Sequence, residues 1–243
     1  MHGVCSNMKN KVLVLGGSSD IGIAVIRKLL KKNYDVTAHF SSNNKNLKKK
    51  FKNINLIKVN FSSISSKNIN STINKKKLNN FNYIINLVGY IDNKSFLETN
   101  LASMIKSLKI NALIPMLIIR SNLKNMEKRK FGRILNCSTI GVKFGGGEFS
   151  FNYNLAKHCL EFIPNKFKYF AEKNVLINNL RIGFTDTKIH NHMKKTLKGA
   201  KRVKLIPIKR MSNPDEISEY IISLISEKNS YMTGQTLTVA GGE

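Results

Sequence analysis

The stretch Lys11-Val12-Leu13-Val14-Leu15-Gly16-Gly17-Ser18-Ser19-Asp20-Ile21-Gly22 decides the fold of this chain. Its first five residues form an apolar run that predicts a buried strand, and residues 21–31 follow helical periodicity. Gly16 permits a tight turn between these elements, and Gly22 lets the helix pack closely on the strand. The N–H groups at the start of such a helix point towards an anion. This unit therefore predicts a site for the phosphates of a dinucleotide.

The alternation of apolar runs and helical segments continues from this stretch to the end of the chain. Further strands are predicted at residues 34–40, 55–59, 83–88, 132–137, 175–182 and 236–239. Helices are predicted at residues 100–128, 152–172 and 214–226, with a short one after the second strand. This pattern indicates an α/β fold, a doubly wound parallel sheet of about seven strands with helices on both faces. We expect one domain at 9–243, preceded by a disordered N-terminal extension at 1–8.

The composition limits the class of protein. The chain has 243 residues, of which 42% are hydrophobic and only 4 are proline, so it can bury the core of one α/β domain. It has no run of 18 apolar residues, and its first eight residues lack the apolar stretch of a secretory signal. We therefore expect a cytoplasmic protein without a membrane span.

The net charge of +27 comes from 41 Lys and Arg against 14 Asp and Glu. The excess is mostly lysine and accompanies many asparagines and isoleucines, which share A/T-rich codons, so a biased genome is a sufficient explanation. The basic residues are scattered and form no basic–aromatic stacking pattern, which disfavours nucleic acid as a partner. The charge still favours anionic ligands.

The cysteines and histidines indicate no metal site. Cys5, Cys137 and Cys159 have neither metal-ligand spacing nor an even disulfide framework. The last two lie in apolar segments, where buried free thiols are common. His190-Asn191-His192 has no Cys, Asp or Glu at ligand spacing, so we predict a polar loop there.

The end of the second predicted strand distinguishes between the two nicotinamide dinucleotides. An acidic residue there would accept hydrogen bonds from the adenosine ribose and repel a 2′-phosphate. Residues 38–45 contain no acid and instead offer Ser41, Ser42 and Lys45. We therefore expect NADP(H) as the cofactor rather than NAD(H).

A tyrosine and a lysine indicate proton transfer. Tyr153 and Lys157 are four residues apart, on one face of a predicted helix. A free phenol has a pKa of about 10 and is a poor acid at neutral pH, but a neighbouring ammonium is expected to lower that pKa. Upstream, Ser138 and Thr139 follow a strand and offer hydroxyls to a substrate carbonyl.

In this order along the chain, these features resemble the short-chain dehydrogenase/reductase family, from about Lys9 to Glu243. The motifs that carry the resemblance are the glycine turn at 16–22, Asn86-Leu87-Val88-Gly89, Asn111, Ser138-Thr139, Tyr153 with Lys157, Ile182-Gly183, Thr187, and the tail segments 207–211, 214–217, 231–236 and Gly241-Gly242. The resemblance implies a single-domain Rossmann fold and an NAD(P)-dependent oxidoreductase. The chain is most similar to the branch that includes 3-oxoacyl-carrier-protein reductases.

The resemblance also implies roles for single residues. Tyr153 would give a proton to the carbonyl oxygen, while Lys157 would lower the tyrosine pKa and hydrogen-bond the nicotinamide ribose. Thr139 falls on the family's catalytic serine, with Ser138 before it, and Asn111 would hold a water of the proton relay. Residues implied in cofactor binding are Gly16, Ser18, Ser19, Asp20, Ile21, Gly22, Ser41, Ser42, Asn60, Phe61, Asn86, Gly89, Tyr153, Lys157, Gly183 and Thr187.

Several residues depart from the family pattern. These are Leu15 for threonine, Asp20 for a second glycine, Asn60 for aspartate, Ile182 for proline and Ala240 for aspartate. Asp20 either brings negative charge near the phosphates or caps the helix backbone. The methyl group of Thr139 narrows the site, and Ser138 stays open as the alternative hydroxyl.

The nearby Pro115 gives a separate reason to expect a bound water at Asn111. Pro115, four positions later, cannot donate to the Asn111 carbonyl, so we predict a kinked helix with a spare acceptor for a water. A proline kink without a catalytic role is the alternative.

These observations give three candidate functions, of which two are enzymatic and one is not. The first is an NADPH-dependent reductase of a ketone, or the reverse dehydrogenase, similar to a 3-oxoacyl-thioester reductase. The second reduces a keto-sugar or other polar metabolite, because the glycine-rich segment 141–147 leaves room for a bulky substrate. The third is a non-catalytic dinucleotide- or nucleic-acid-binding protein.

The expected partners are a small carbonyl or alcohol substrate and further copies of the chain. Lysines between residues 188 and 204 could attract an anionic or carrier-bound substrate. Apolar residues of the two long helices exceed the need of one sheet face and favour a homo-dimer or homo-tetramer; they are Leu113, Ile114, Leu117, Ile118, Phe162 and Phe170.

Overall fold

The computed structural model describes residues 10–42, 45–191 and 196–243, so the predicted extension at 1–8 lies outside the described residues. Its strands are β1 (Lys11–Leu15), β2 (Asp35–Phe40), β3 (Asn55–Lys58), β4 (Tyr83–Asn86), β5 (Gly132–Thr139), β6 (Val175–Ile182) and β7 (Thr236–Val239). Within the described part of the chain they form one sheet in the order β3-β2-β1-β4-β5-β6-β7, with every neighbouring pair parallel. The strand order reverses between β1 and β4, which is where such sheets bind ligands.

Helices cover both faces of the sheet. They are α1 (Asp20–Lys31), α2 (Lys45–Lys50), α3 (Ile69–Lys75), α4 (Leu101–Leu108), α5 (Ile114–Arg129), α6 (Gly141–Phe144), α7 (Phe151–Leu160), α8 (Phe167–Glu172), α9 (Leu197–Leu205) and α10 (Pro214–Ile225). On one face α1 packs against α10, and on the other α5 packs on the sheet while α4 packs against α7. The predicted doubly wound α/β fold is confirmed.

The central strand shows why the apolar runs are continuous. Val12 and Val14 pack with the α1 and α10 side chains, whereas Leu13 and Leu15 pack with those of α5. Successive side chains of a strand point to opposite faces, and both faces of this sheet are covered. The sequence of β1 is therefore apolar throughout.

The structure differs from the sequence expectations in one long helix and at several element ends. The helix predicted at 152–172 is two helices, α7 and α8, because Pro164 between them has no N–H to donate. β5 continues two residues beyond its predicted end, to Thr139, and stays paired with β6. The sequence did not predict α3, α6 and α9, which are short and rich in polar residues or glycine.

The helical segment from Leu101 to Arg129 is continuous but changes its winding in the middle. Lys109–Leu113 form a π-helical turn between α4 and α5, directly before Pro115. The sequence predicted a kinked helix at Pro115, and the structure has a π-helical turn just before this proline. By length and composition alone this 29-residue helix is apolar enough to cross a membrane. Core helices meet the same criterion, and Ile118 of this helix is fully buried.

Candidate active site

A cleft of about 1150 Å³ lies at the carboxyl ends of β1, β4, β5 and β6. Predicted site residues that line it are Ser19, Asp20, Ile21, Gly89, Ser138, Thr139, Tyr153, Lys157, Gly183 and Thr187. Predicted residues outside its lining are Gly16, Ser18, Gly22, Ser41, Ser42, Asn60, Phe61, Asn86 and Asn111. The fold thus gathers the predicted proton-transfer residues and part of the predicted cofactor site around one cavity.

The glycine turn (residues 16–22) brings backbone closer to backbone than a side chain would allow. Gly16 has a φ of +74°, and a Cβ there would lie 2.7 Å from the Leu87 carbonyl oxygen. A Cβ on Gly22 would lie 2.7 Å from the Gly17 carbonyl oxygen. Ser19 caps α1, because its Oγ accepts a hydrogen bond from the Gly22 N–H at 3.1 Å. A bare backbone and an open helix N-terminus fit the phosphates of a dinucleotide.

Asp20 does not cap α1. Its carboxylate accepts a hydrogen bond from the Lys188 backbone N–H at 2.7 Å, and the Lys188 ammonium lies 3.6 Å away. The negative charge that the sequence placed near the phosphates is therefore partly balanced by Lys188. The contact also joins the start of α1 to the segment that follows β6.

His39, which the sequence analysis did not single out, connects the glycine turn to β3. Its Nδ1 accepts a hydrogen bond from the Gly16 N–H at 3.3 Å, and its Nε2 lies 2.9 Å from the Val59 carbonyl oxygen. Burial lowers the pKa of His39 to about 4, so the imidazole is neutral and Nε2 carries the proton. The available sequence signal was a histidine within a predicted strand.

The ring of Phe61, predicted to bind the cofactor, is buried against this histidine. The two rings stack at 4.4 Å between centroids and 10° between planes. Asn60 beside it is exposed and caps the turn Phe61–Ser63, accepting a hydrogen bond from the Ser62 N–H at 3.0 Å. Ser41 and Ser42 are exposed at the end of β2.

Tyr153 and Lys157 lie on α7 beside the ends of β4 and β5. The Lys157 ammonium lies 5.7 Å from the centre of the Tyr153 ring. It donates to two carbonyl oxygens, of Val88 at 2.8 Å and of Cys137 at 2.6 Å. These bonds hold a lysine that is 2% exposed at a fixed place in the floor of the cleft.

The acidity of this pair differs from the sequence expectation. Burial raises the pKa of Tyr153 and lowers the pKa of Lys157 to about 8. The expected lowering of the tyrosine pKa is wrong for this arrangement, because desolvation disfavours both charged forms and the ammonium is engaged by carbonyl oxygens. The phenol is therefore protonated at neutral pH, as a proton donor must be.

The two candidate hydroxyls differ in their surroundings. Thr139 is partly exposed, and its Oγ1 accepts a hydrogen bond from the Gly141 N–H at 3.2 Å. Ser138 is 4% exposed, and its Oγ has no hydrogen-bond partner among the described residues. Because the Thr139 oxygen already accepts one bond, its own proton is left to donate.

Asn111 is fully buried in the π-helical turn, and its side chain holds the chain after β4. Its Oδ1 accepts from the Tyr90 N–H at 2.7 Å, and its Nδ2 donates to the Tyr90 carbonyl at 2.9 Å and to Ser107 Oγ at 3.0 Å. The side-chain amide is therefore used by the protein. Both amide hydrogens are engaged, so a water at Asn111 would have to donate to the backbone carbonyl or to the second lone pair of Oδ1.

Asn86, Gly183 and Thr187 each contact backbone atoms around the cleft. Asn86 is fully buried, and its Oδ1 accepts from the Val88 N–H at 3.2 Å. A Cβ on Gly183 would lie 2.6 Å from the Ala240 Cα, so β6 and the tail approach closely there. Thr187 is 8% exposed and donates from Oγ1 to the Thr185 carbonyl at 3.3 Å.

The sequence indicated no metal site and predicted structural roles for Cys137 and Cys159, and the structure shows the surroundings of these residues. The described residues contain no cluster of three or more His, Cys, Asp or Glu that could hold a metal ion. His190 packs edge-on against Phe184, whereas His192 lies outside the described residues. Cys137 is buried and Cys159 partly buried, both as free thiols, in line with a structural role.

Three cations in the described part of the segment after β6 pair with acids. Ion pairs join Lys188 to Asp20, Lys198 to Glu148 and Arg202 to Glu243. Lys194 and Lys195 lie outside the described residues. The predicted attraction of an acidic partner would therefore rest chiefly on Lys201 and Lys204 within the described part of this segment.

Comparison with known proteins gives matches over nearly the whole chain. The family model described as "Enoyl-(Acyl carrier protein) reductase" matches residues 17–243. The chain is 32% identical over 160 residues to 3-oxoacyl-(acyl-carrier-protein) reductase FabG of Aquifex aeolicus, covering 65% of this chain and 64% of that protein. It is 27% identical over 251 residues to the FabG of Chlamydia pneumoniae, covering 96% of each.

A solved structure agrees in fold. It is a 3-oxoacyl (acyl-carrier-protein) reductase from Agrobacterium tumefaciens with NADP bound, 20% identical, with a TM-score of 0.85 over 96% of this chain and 94% of that one. At this identity the likeness establishes the fold, while the family match rests on the sequence. The chain belongs to the short-chain dehydrogenase/reductase family of NAD(P)-dependent oxidoreductases.

Proposed function

We propose that this chain is an NADPH-dependent reductase of 3-oxoacyl thioesters, with Tyr153 as the general acid. The observation that carries the proposal is the position of Tyr153, Lys157 and Thr139 together in a cleft whose accessible surface is mostly apolar. Exposed apolar residues line the same cleft, among them Phe144, Phe149, Ile189 and Leu205. An exposed apolar lining suits an acyl chain better than a sugar.

In this proposal each residue of the wall has one task. The dinucleotide, when bound, supplies the hydride that reaches the carbonyl carbon. Thr139 donates a hydrogen bond from Oγ1 to the carbonyl oxygen and orients it, and Tyr153 transfers its phenolic proton to that oxygen. Lys157 offsets only part of the desolvation that raises the Tyr153 pKa, because an ammonium nearby favours the phenolate that is left after proton transfer.

The preference for NADPH rests on the end of β2. Ser41 and Ser42 are exposed there, and Lys45 begins α2 directly afterwards. His39 is neutral and buried, so it adds no charge of either sign. The hydroxyls of Ser41 and Ser42, with no Asp or Glu in the sequence between residues 38 and 45, favour a 2′-phosphate over a free ribose hydroxyl.

Reduction of a keto-sugar or another polar ketone is the second candidate. The sequence argued for it from an open glycine-rich segment at 141–147, but this segment is only partly open. A Cβ on Gly141 or Gly146 would lie 2.3 Å or 2.1 Å from the amide of Asn154, whereas Gly145 has nothing within 4 Å. What favours a polar substrate is instead that Asn154 amide, whose oxygen has no partner among the described residues.

The test is NADPH oxidation with a 3-oxoacyl thioester at moderate salt, with the Tyr153→Phe variant as control. We expect turnover in the wild type and a loss of about 10³-fold in kcat in the variant, with dinucleotide affinity lowered by no more than about tenfold, the loss of one hydrogen bond. Equal activity in both would contradict the role of Tyr153 and revive a non-catalytic dinucleotide-binding function. Binding of NADPH without turnover of any thioester would favour the polar ketone.

A homo-dimer or homo-tetramer in the cytoplasm is part of the proposal. Leu113 and Phe162, two of the apolar residues that predicted association, are 49% and 69% exposed, and Leu101 and Ile105 add to them. Ile114 and Ile118 are buried in the core and do not contribute. Sedimentation at moderate salt would measure the association.

A further inference from the structure

Asn154 follows Tyr153 on α7 and is 8% exposed. Its Nδ2 donates to the Ser150 carbonyl at 2.8 Å and to Ser150 Oγ at 2.9 Å. A backbone carbonyl can only accept, so these bonds fix which end of the amide is the nitrogen. The oxygen Oδ1 is therefore held in one orientation, and it is buried without a hydrogen-bond partner anywhere in the described structure.

Two glycines leave room for this amide. A Cβ on Gly141 would lie 2.3 Å from Asn154 Oδ1, and a Cβ on Gly146 would lie 2.1 Å from Asn154 Nδ2. Any other residue at either position would displace the asparagine. Asn154 and both glycines line the cleft, on the wall that also carries Thr139 and Tyr153.

An unpaired buried acceptor destabilises a folded protein unless water or a ligand supplies the missing donor. Within the described cleft lining, two side-chain atoms are buried and unpartnered, Ser138 Oγ and Asn154 Oδ1. A hydroxyl can donate to a carbonyl oxygen, whereas an amide oxygen can only accept. The wall is thus complementary to a molecule that presents both an acceptor and an N–H or O–H donor.

We propose that Asn154 is a specificity-determining residue whose Oδ1 accepts a hydrogen bond from an N–H or O–H group of the substrate. The inference rests on the proposed ketone reductase function and adds a feature to its substrate, a donor group on the same molecule as the ketone. The donor is an amide N–H if the substrate is an acyl thioester and a hydroxyl if it is a polar ketone.

The experiment compares matched substrates that differ only in the donor. For the amide, S-acetoacetyl-N-acetylcysteamine is compared with its analogue in which an ester oxygen replaces the N–H. For the hydroxyl, 3-hydroxybutan-2-one is compared with 3-methoxybutan-2-one. We expect the wild type to prefer the donor-bearing member of one pair by about tenfold in kcat/KM, the cost of an unpaired buried acceptor. The pair that shows the preference identifies the source of the donor.

The variant Asn154→Leu keeps the branched shape of the side chain and removes the acceptor, so it should lose the preference while still reducing the member without the donor. Ser150→Ala is the matched control, because it weakens the hold on the asparagine but keeps Oδ1. It should retain the preference even if both rates fall. If Asn154 had only a structural role, each variant would change kcat/KM for both members of a pair by the same factor.

Two results would overturn the proposal. One is a wild type that treats the members of both pairs alike, which would mean that only water meets Oδ1. The other is a preference that survives in Asn154→Leu. If neither pair is reduced although NADPH binds, the proposed function fails, and calorimetric binding of the same pairs to the NADP⁺ complex then decides the role of Asn154 by the same ratio.

Discussion

The glycine turn and the catalytic wall (Ser138, Thr139, Tyr153 and Lys157) border one cleft but are held together in different ways. In the glycine turn, Ser19 bonds residues three positions away on either side, the Gly16 carbonyl and the Gly22 N–H. At the catalytic wall, Lys157 donates to carbonyls that lie 69 and 20 residues away in the chain. The first region depends on local residue types, and the second depends on the packing of the whole sheet.

The largest effect is expected at the catalytic wall. Lys157→Met removes the ammonium that bonds Val88 and Cys137 and that would stabilise the Tyr153 phenolate. We expect kcat to fall by about 10³-fold, while the dissociation constant for NADPH rises by no more than about tenfold, the loss of one hydrogen bond to the ribose, because the glycine turn is unchanged. Steady-state kinetics and fluorescence titration with NADPH measure the two quantities.

Lys173→Met, a lysine at the end of α8, is the control for the loss of a positive charge and should leave both quantities near wild type. A rise of more than about tenfold in the dissociation constant for NADPH in Lys157→Met, beyond the loss of one hydrogen bond, would show that the two regions are not separable.

The glycine turn is tested by adding one methyl group. Gly16→Ala forces alanine into a φ of +74° and brings its Cβ to 2.7 Å from the Leu87 carbonyl oxygen. We expect a loss of about 4 kcal/mol in the free energy of unfolding, from backbone strain and overpacking together. Denaturant unfolding measures it.

Gly145→Ala separates these two causes. Gly145 has nearly the same φ, +75°, but nothing within 4 Å of an added Cβ, so only the strain of about 1 kcal/mol should remain. Equal losses in the two variants would mean that the close approach to Leu87 contributes nothing.

The smallest effect concerns His39, which joins the glycine turn to β3. Its pKa in the folded protein, about 4, lies below the ordinary value of 6.5, so the unfolded chain binds a proton that the folded one does not. The stability from His39 is complete above about pH 6.5 and is lost as pH falls through 4. Wild type should lose about 3 kcal/mol more than His39→Asn between pH 7 and pH 4.

His158→Asn, which replaces an exposed histidine of α7, is the control for removing an imidazole, and its unfolding free energy is measured over the same pH range. If His39→Asn also loses stability in parallel with the wild type, the neutral histidine link is not a source of acid sensitivity.

Much of the site could be predicted from residue order, and the reasons for the failures are physical. Residues such as Tyr153 and Lys157 were found because their spacing is short and lies within one helix. Asn154 and His39 were missed because the role of an asparagine or histidine depends on its neighbours in the folded chain. Gly141 and Gly146 suggested open space, yet the structure fills that space with the Asn154 amide.

The sequence by itself determined the α/β alternation and the glycine turn, and it pointed to Tyr153 and Lys157 as the proposed proton-transfer residues, because these features depend on periodicity and spacing along the chain. Only the tertiary structure decided the acidity of Tyr153 and Lys157, the partners of Asp20 and the unpaired oxygen of Asn154. Burial, the approach of distant backbone and the completeness of hydrogen bonding are properties of neighbours in space. Those neighbours are brought together only when the sheet and its helices pack.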